Sequence, residues 1–442
     1  MNHINITLAM KKQYFILVCA LLTIFSVSGA VKGRPDLNQV GSQQMAYPVP
    51  AYGVPELSDA PKGYVPFHME HYGRHGSRWL LSEKDYQKPV DILAKADSLG
   101  KLTPRGKELL GQLRVINEAS HNRLGELTPL GHRQHREIAH RMVNNFPQLF
   151  TTGTNIDAKS TVVIRCILSM ANEIAEMQRM VPGMNVTCDA TRAYQPILAY
   201  NSTDTVAKNF SKAATKMNKE FNERHSDHSA FLSKVFNDQK YVTDSVDDGD
   251  IFEGVFDIAV NVQSHDNQPS LYDLFTEEEL YNQWLIKNAW WYAYSGNSPQ
   301  NNHRSHWNQR VLLQNIIESA DTAMVSPLQS VNLRFGHESI VLPLTVLLEL
   351  NDSAYDTDNI DTLGDNWRNF DIFPMASNIQ IVFYRPKNRT GNNPDDVLVK
   401  VLLNEAEATL PLTPVEGKYY RWTDFRKYYT DKLNSFSTRF DQ

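Results

Sequence analysis

The chain has 442 residues, with 44 Lys and Arg against 50 Asp and Glu and a formal net charge of −6. This length exceeds what one ordinary hydrophobic core organises, so it predicts a large α/β domain that carries a second domain or a long insertion. A hydrophobic content of 41% and a charged content of 21% are typical of a soluble globular protein. The lack of overall basic charge argues against nucleic acid as a partner, and an anionic ligand would need a local basic pocket.

The first thirty residues differ in composition from the rest of the chain. The pair Lys11-Lys12 precedes an apolar run over 14–27, which ends in small residues at 28–30. This pattern is typical of a secretory signal, and the run is shorter than the roughly 20 residues that a membrane-spanning helix needs. We therefore predict a signal peptide over 1–30 and a periplasmic or secreted protein with no stable membrane span after its removal. Retention as an anchor is the less favoured alternative.

The next part of the chain predicts a strap, a strand and three helices. Residues 31–62 are rich in Pro, Tyr and Gly and predict an extended N-terminal strap with little regular structure. An alternating apolar run over 64–69 predicts a short β-strand, which leads towards Arg74-His75-Gly76-Ser77-Arg78. Apolar spacing, together with the N-cap pair Thr128-Pro129, then predicts helices over 84–98, 103–120 and 129–144.

The remaining elements predict an α/β domain interrupted by a helical insertion. The apolar run at 159–164 predicts a buried strand that ends on Arg165, and a helix and a short strand follow at 169–180 and 185–188. Sequence over 198–325 is polar and mostly helical, which predicts an inserted α-helical domain. The α/β domain then comprises 63–197 and 326–442, and its later elements are strands at 331–335, 379–384 and 397–403 and helices at 340–350 and 422–436.

The loop after the first strand combines arginine and histidine in a pattern suited to phosphate. Arg74 and Arg78 flank His75, and the arginine side chain presents a planar fork of donors that matches phosphate oxygens. Nearby positive charge lowers the pKa of a histidine and keeps one ring nitrogen unprotonated and nucleophilic near neutral pH. The alternative is a surface loop whose charges are merely solvated, and the loop by itself does not decide between the two.

Further polar residues follow other predicted strands and extend this pattern. Arg165 follows the second strand, and His337 and Glu338 follow the strand at 331–335. Because the carboxyl ends of parallel strands share one edge of a sheet, we expect these residues to converge on the first loop. The chemistry of such a set is specific: His75 attacks phosphorus, the arginines and His337 bind the oxygens, and Glu338 protonates the departing alkoxide. This set predicts a metal-free phosphatase that needs no cofactor.

Two other residue sets raise the question of a metal or a disulfide. His132, His135 and His140 lie on the helix at 129–144, but they lack the i, i+4 pair with an acid that is typical of a zinc-binding helix. We therefore predict no metal site. Cys166 and Cys188 would allow one disulfide in an oxidising compartment, and buried free thiols are the favoured interpretation.

The motifs together resemble those of the histidine acid phosphatase family. The stretch from Arg74 to Arg78 matches the family's R-H-G-x-R, with His75 in the place of the nucleophile. The resemblance also implies that Arg165 is the further phosphate-binding arginine and that His337 belongs to the late histidine-acid pair. It implies a three-layer α/β sandwich around a mostly parallel sheet, of the phosphoglycerate mutase-like kind, with an inserted α-helical domain.

Within that family the chain is most similar to the multiple inositol polyphosphate phosphatases, a branch of phytase type. The stretches that support this are Glu126–Gly131, Gln134-His135, Val397–Glu405 and Tyr419–Trp422. That branch usually has His-Ala-Glu, whereas Glu338 directly follows His337 here. The resemblance implies inositol hexakisphosphate or its lower phosphates as substrate. We also expect the protein to be a monomer.

Two other functions remain as alternatives. A broad-specificity acid phosphatase would have the same catalytic residues and a less basic outer pocket. The row of Lys208, Lys212, Lys216 and Lys219 is a candidate for a basic outer pocket, although a solvated helix face is the commoner meaning of such a row. A non-catalytic protein that captures phosphorylated ligands is the alternative from another class, but it would need neither the nucleophile His75 nor the acid Glu338.

Overall fold

The structure, a computed structural model, describes residues 33–440 apart from 199–208, 210–211, 213–215, 217, 267, 327 and 389–392. The predicted signal peptide and Lys208 lie outside the described residues. From Arg34 onward the chain packs as one compact unit. The predicted domain boundaries near 198 and 325 therefore stay a prediction. Within the described ranges, no helix has the length and apolar composition needed to cross a membrane.

A single eight-stranded sheet forms the centre of the protein. Its strands are β1 (Tyr64–Arg74), β2 (Asn155–Ser160), β3 (Asn185–Asp189), β4 (Ser330–Gly336), β5 (Asn378–Pro386), β6 (Leu398–Leu403), β7 (Ala406–Glu407) and β8 (Tyr420–Arg421). The order is β3-β2-β4-β1-β5-β6-β7, and β8 pairs with β6. The four strands from β3 to β1 are parallel, whereas β5 to β8 join antiparallel. The predicted α/β sheet is therefore parallel in one half and antiparallel in the other. The connection from β5 to β6, residues 387–397, is shorter than the dozen or more residues that a parallel crossover needs.

Long helices cover both faces of the sheet. Those of ten or more residues in the described ranges are α1 (Glu83–Ser98), α2 (Pro104–Ser120), α3 (Pro129–Asn145), α4 (Ile164–Met180), α5 (Asp248–Asn261), α6 (Glu277–Ser295), α7 (Arg310–Val325), α8 (Glu338–Leu347) and α9 (Trp422–Asn434). Helices α3 and α4 share one hydrophobic cluster with β2 and β4, and α7, α8 and α9 share a second cluster with β5 and β6. The two clusters lie between the sheet and the helices on its two faces, so the layers are helix, sheet and helix, as in the predicted three-layer sandwich.

Short helical segments connect the longer elements. They lie at Gln39–Gln44, Arg192–Tyr194, Gln195–Leu198, Lys219–Arg224, Ser229–Val235, Gln239–Ser245, Val262–Ser264, Tyr272–Leu274, Pro299–Asn301, Ser305–Gln309, Leu350–Asp352, Ile360–Thr362, Leu363–Asn366, Asn369–Ile372, Pro394–Asp396 and Phe436–Phe440. The first of these replaces part of the predicted extended strap with a 3-10 turn. Its buried Val40 packs into the larger hydrophobic cluster, so the strap is part of the core.

The second strand is where the sequence-based assignment was wrong. The run at 159–164 was expected to be buried strand, but β2 occupies Asn155–Ser160 and α4 begins at Ile164. Pairing of β2 with β4 ends at Ser160, because the chain leaves the sheet there and turns into the helix. Along β2 buried residues alternate with partly exposed ones, which gives a weaker signal than the apolar residues of the following turn. Val162 and Ile164 are 42% and 69% exposed.

Cys166 and Cys188 are both free, as favoured from the sequence, but their surroundings differ. Cys166 is buried beneath the carboxyl edge of the sheet, and Cys188 is exposed. The exposure of Cys188 corrects the expectation of a buried thiol, and it arises because β3 lies at the edge of the sheet formed by the described strands.

Candidate active site

Parallel strands end at the same level of the sheet and bring the two sequence motifs together. In the register of β1 and β4, Arg74 lies opposite Gly336, so His75 and His337 leave the sheet side by side. The ring centroids of these two histidines are 5.5 Å apart. Strand β2 ends beside them at Ser160. The six residues predicted for the site all lie at this edge of the sheet, and they are Arg74, His75, Arg78, Arg165, His337 and Glu338.

The loop after β1 is clamped between the N-terminal parts of α3 and α4. The backbone N–H of Gly76 donates to Ser169 Oγ at 3.2 Å, and that of Ser77 donates to Gln134 Oε1 at 2.8 Å. A Cβ atom on Gly76 would lie 2.5 Å from the carbonyl oxygen of Gly131, so only glycine allows this approach. The loop is therefore held by two helices, and its side chains have little freedom of position.

His75 is held in the tautomer that leaves Nε2 unprotonated. Its Nδ1–H donates to the carbonyl oxygen of Gly76 at 2.9 Å, because a carbonyl can only accept. Nε2 then carries a lone pair and lies 3.6 Å from Glu338 Oε2. Burial, with help from the charges of Arg74 and Arg165, lowers the pKa of His75 well below its usual value. His75 is therefore neutral and fully buried at neutral and mildly acidic pH, and its Nε2 has the lone pair that a nucleophile needs.

Three arginines of the site carry buried donors without hydrogen-bond partners among the described residues. Arg74 is fully buried, and its Nη1 donates to the carbonyl oxygens of Gln43 at 2.6 Å and Phe373 at 2.8 Å. Its Nη2 has no hydrogen-bond partner within the described residues, and the same is true of Nε in Arg78 and in Arg165. Buried guanidinium groups with unmade hydrogen bonds are costly unless an anion satisfies them. The arrangement is therefore suited to a phosphate group.

Arg78 is held by a short relay from the end of α5. Asn261 Nδ2 donates to the carbonyl oxygen of Arg78 at 3.0 Å, and His265 Nε2 lies 3.2 Å from Asn261 Oδ1. Burial lowers the pKa of His265 to about 4, so its ring is neutral at pH 7 and donates from Nε2 to Oδ1. This bond orients the Asn261 amide with its nitrogen towards Arg78.

His337 occupies the N-cap position of α8 and contacts the end of β2 and the first turn of α4. Its Nε2 lies 3.4 Å from Thr161 Oγ1 and 3.6 Å from Cys166 Sγ. Burial lowers the pKa of His337 to about 4, and the nearby charge of Arg165 acts in the same direction. The preceding residue is glycine, and a Cβ there would lie 2.0 Å from the hydroxyl oxygen of Tyr72, so any larger residue would displace that side chain.

Glu338 begins α8 and is an ionised carboxylate in this structure. Its Oε2 lies 3.1 Å from Arg74 Nε and faces His75 Nε2. Burial by itself raises the pKa of Glu338, but the charge of Arg74 outweighs it and holds the pKa well below the usual value. A proton donor must hold a proton, so Glu338 suits that role only when a bound anion offsets the charge of Arg74.

One group of three potential metal ligands occurs among the described residues, and it is part of this site. Single ligand atoms of His75, His337 and Glu338 lie within 4.8 Å of one another. The three arginines around it favour an anion over a metal cation. The histidines of α3 are engaged elsewhere, since His135 Nδ1 lies 2.8 Å from Glu173 Oε1 and His140 Nδ1 lies 3.1 Å from Glu176 Oε1.

Several residues that hold the site were not identified from the sequence. Gln43 and Phe373 act through backbone carbonyl oxygens, which carry no sequence signal. Gln134 lies in a stretch that supported the family resemblance, so it could have been found by that route. Asn261 lies nearly two hundred residues from Arg78 in the chain and has no local pattern that marks it.

Buried neutral histidines make the stability of the protein sensitive to acid. Burial lowers the pKa of His71 and His337 to about 4 and that of His306 to about 3. The unfolded chain binds a proton at each of these residues near pH 6.5, whereas the folded chain does so only at a much lower pH. The free energy of unfolding should therefore fall between pH 6.5 and 4, by up to about 1.4 kcal/mol per pH unit for each histidine.

Urea unfolding at several pH values measures this dependence. In His71→Asn the free energy of unfolding should fall less steeply as the pH decreases. The slope should drop by the amount that about one proton contributes, since the unfolded state of the variant takes up one proton fewer. His121→Asn is the matched control, because His121 is exposed at the end of α2. A free energy of unfolding that stays constant from pH 6.5 to 4.5 would contradict the prediction.

Comparison with known sequences identifies one protein family. The family model described as histidine phosphatase superfamily (branch 2) matches residues 73–404, which include every residue of the site. Comparison with curated proteins gives no match.

Solved structures share the fold at low sequence identity. A Bifidobacterium longum multiple inositol polyphosphate phosphatase, in complex with inositol hexasulfate, has a TM-score of 0.70 and 18% identity, and the match covers 89% of this chain and 98% of that chain. The phytase from D. castellii has a TM-score of 0.61 and 14% identity, with coverage of 91% and 87%. A Hafnia alvei phytase, in complex with myo-inositol hexakis sulphate, has a TM-score of 0.53 and 13% identity, with coverage of 84% and 98%. At these identities the likeness concerns the fold, and it confirms the predicted α/β class.

Proposed function

The chain belongs to branch 2 of the histidine phosphatase superfamily, and we propose that it hydrolyses inositol polyphosphates, phytate included, through a covalent phosphohistidine. The observation that carries the chemistry is the unprotonated Nε2 of His75, which lies among three arginines and 3.6 Å from a carboxylate. No metal ion takes part in the proposed reaction.

The first step transfers the phosphoryl group to the enzyme. Arg74, Arg78, Arg165 and His337 hold the phosphate oxygens, and the bound negative charge raises the proton affinity of Glu338. His75 Nε2 then attacks phosphorus, and the bond between phosphorus and the ester oxygen breaks. The bonding electron pair leaves with that oxygen, which takes the proton of Glu338 and departs as an alcohol. The arginines stabilise the negative charge of the transferring group.

The second step releases phosphate. A water molecule attacks phosphorus and gives its proton to the Glu338 carboxylate, which acts as the base because it has just lost its own proton. The nitrogen–phosphorus bond breaks, and its electron pair returns to Nε2 of His75. Inorganic phosphate leaves, and the site regains its starting protonation after the proton of Glu338 passes to solvent.

The substrate class rests on similarity to proteins that act on inositol phosphates. One similar structure is a multiple inositol polyphosphate phosphatase in complex with inositol hexasulfate, and two others are phytases. Of the lysine row proposed for an outer pocket, Lys212, Lys216 and Lys219 are exposed in the described part of the chain. Their contact with substrate stays a prediction.

A broad-specificity phosphomonoesterase is the second candidate, and exposed apolar side chains favour it. Ile164 and Leu168 flank Arg165 on α4 and are 69% and 37% exposed. Leu81 is 52% exposed, and both its side chain and Arg165 Nη1 lie within 3.4 Å of the position that a Cβ on Gly125 would take. An apolar leaving group would bury surface against these side chains, whereas a highly charged inositol phosphate would not.

Phosphate release in the presence of a chelator separates the two candidates. The purified chain without residues 1–30 should release phosphate from inositol hexakisphosphate with a kcat/KM at least tenfold above that for 1-naphthyl phosphate. The variant Ile164→Ser should leave the first value unchanged. A preference for the naphthyl ester that Ile164→Ser abolishes would instead support the broad-specificity candidate. Loss of activity with the chelator would contradict the metal-free mechanism.

We further propose that the protein is exported to the periplasm or secreted and acts there as a monomer on small phosphate esters, without a nucleic-acid partner. The support is the signal-like pattern over 1–30 and the acidic net charge of −6. A mature N-terminus near residue 31 in protein isolated from its host is the expected result.

A further inference from the structure

The N-terminal strap reaches the active site through the backbone of Gln43. The carbonyl oxygen of Gln43 accepts a hydrogen bond from Arg74 Nη1 at 2.6 Å. The other acceptor for the same nitrogen is the carbonyl oxygen of Phe373 at 2.8 Å. These two bonds, with the ion pair to Glu338, set the plane of the Arg74 guanidinium and therefore the direction of its unpartnered Nη2.

The residue before Gln43 has a backbone conformation that is unfavourable for a side chain. Ser42 has φ 55° and ψ −124°, a combination that glycine adopts readily and residues with a Cβ rarely do. Its side chain is fully buried, and Asn369 Nδ2 donates to Ser42 Oγ. Asn369 is itself held, because Trp284 Nε1 donates to its Oδ1 at 3.2 Å. Strained residues persist only where their surroundings determine the conformation, and they are concentrated at functional sites.

Helix α6 holds the Gln43 side chain. Trp291 Nε1 donates to Gln43 Oε1 at 3.1 Å, and the Trp291 ring packs against Phe373 with centroids 4.9 Å apart. Phe373 is the residue that supplies the second carbonyl oxygen to Arg74. Trp291 therefore contacts both residues whose backbones hold the guanidinium.

We propose that the Ser42–Gln43 turn and Trp291 are positioning residues for Arg74, so that the phosphate site is complete only when the strap is seated. The turn directs the Gln43 carbonyl at the guanidinium, and Trp291 keeps the turn against α6. This inference rests on the proposed function, because it assigns Arg74 to phosphate binding. Residues of the strap and of α6 would then hold an arginine at the end of β1 in position.

Two substitutions at Ser42 separate the backbone conformation from the side-chain contact. Ser42→Ala and Ser42→Gly both remove the hydrogen bond from Asn369, but only glycine adopts the positive φ without strain. Calorimetric titration with inorganic phosphate should give a dissociation constant about tenfold higher for Ser42→Ala, the effect of one misplaced hydrogen bond to a charged group. Ser42→Gly should stay within about twofold of the wild type. Circular dichroism verifies that both variants are folded.

Helix α6 supplies a second test with a matched control. Trp291→Phe keeps the ring against Phe373 but removes the donor to Gln43, and it should raise the phosphate dissociation constant about threefold. Trp290→Phe is the control, because Trp290 is 40% exposed and stacks on Tyr294. Equal phosphate dissociation constants for the wild type and Ser42→Ala would overturn this inference and leave the proposed function standing. The same holds if Ser42→Ala and Ser42→Gly lose phosphate affinity equally. Failure of the wild type to bind phosphate would overturn the proposed function and this inference with it.

Discussion

His75→Ala is expected to lower kcat for phosphate release from inositol hexakisphosphate by about 10⁵-fold, on the scale seen when other hydrolases lose their nucleophile. The reason is that Nε2 of His75 is the buried nitrogen whose lone pair faces the carboxylate and the arginines. The arginines remain in the variant, so it should still bind inorganic phosphate. His75→Ala is therefore expected to retain phosphate binding while losing turnover.

Chemical trapping gives this prediction its most direct measurement. Acid is not used for quenching, because phosphohistidine is acid-labile, and alkaline denaturation during turnover should leave labelled phosphate on the wild-type chain. No label should remain on His75→Ala. His140→Ala is the control, since His140 is half-exposed on α3 and pairs with Glu176. Full activity in His75→Ala would exclude the phosphohistidine mechanism. Phosphate binding without turnover by the wild type would support the non-catalytic alternative.

Glu338→Gln is expected to lower kcat by about 10²- to 10⁴-fold for inositol phosphates, the usual contribution of a general acid. An inositol alkoxide is a poor leaving group and needs a proton as its bond to phosphorus breaks. A glutamine keeps the size of the side chain but cannot donate the proton of a carboxylic acid. A nitrophenolate leaving group needs no proton, so the first step with p-nitrophenyl phosphate should be slowed by less than about tenfold.

The dependence on leaving group distinguishes loss of acid catalysis from general damage. Measurement of the burst of nitrophenol isolates the first step, since Glu338 also serves as base in the second. Glu416→Gln is the control, because Glu416 is exposed and distant in sequence from each motif. An equal loss of the first-step rate with both substrates would contradict the role of Glu338 as proton donor.

Glu338 is ionised before substrate binds, so it must gain a proton before it can act as the acid. The charge of Arg74 holds its pKa well below the usual value against the opposing effect of burial. Phosphate binding supplies negative charge next to the same arginine and so favours protonation of the carboxylate. Proton uptake should therefore accompany binding of the substrate, and the acid is formed in the complex.

The strand ends show how much of the site was predictable from sequence. The R-H-G-x-R stretch and the His-Glu pair each lie at the end of an apolar strand. The end of β4 was placed to within one residue, whereas β1 runs five residues past its predicted end and includes Arg74. Parallel strands in one sheet end at one edge, so the convergence of His75 and His337 follows from general rules of α/β folds. The position of Arg165 in the first turn of α4 was not foreseen, because the run at 162–164 has the composition of a strand.

The sequence by itself determined the class of fold, the family and the six residues that meet at the sheet edge. It could do so because apolar periodicity and short charged motifs are local properties of the chain. Tertiary structure alone decided how those residues are held. The carbonyl oxygens of Gln43 and Phe373, the amide of Asn261 and the conformation of Ser42 act at the site from distant parts of the chain. A backbone acceptor is present in every residue, so only the folded path of the chain selects which one meets Arg74.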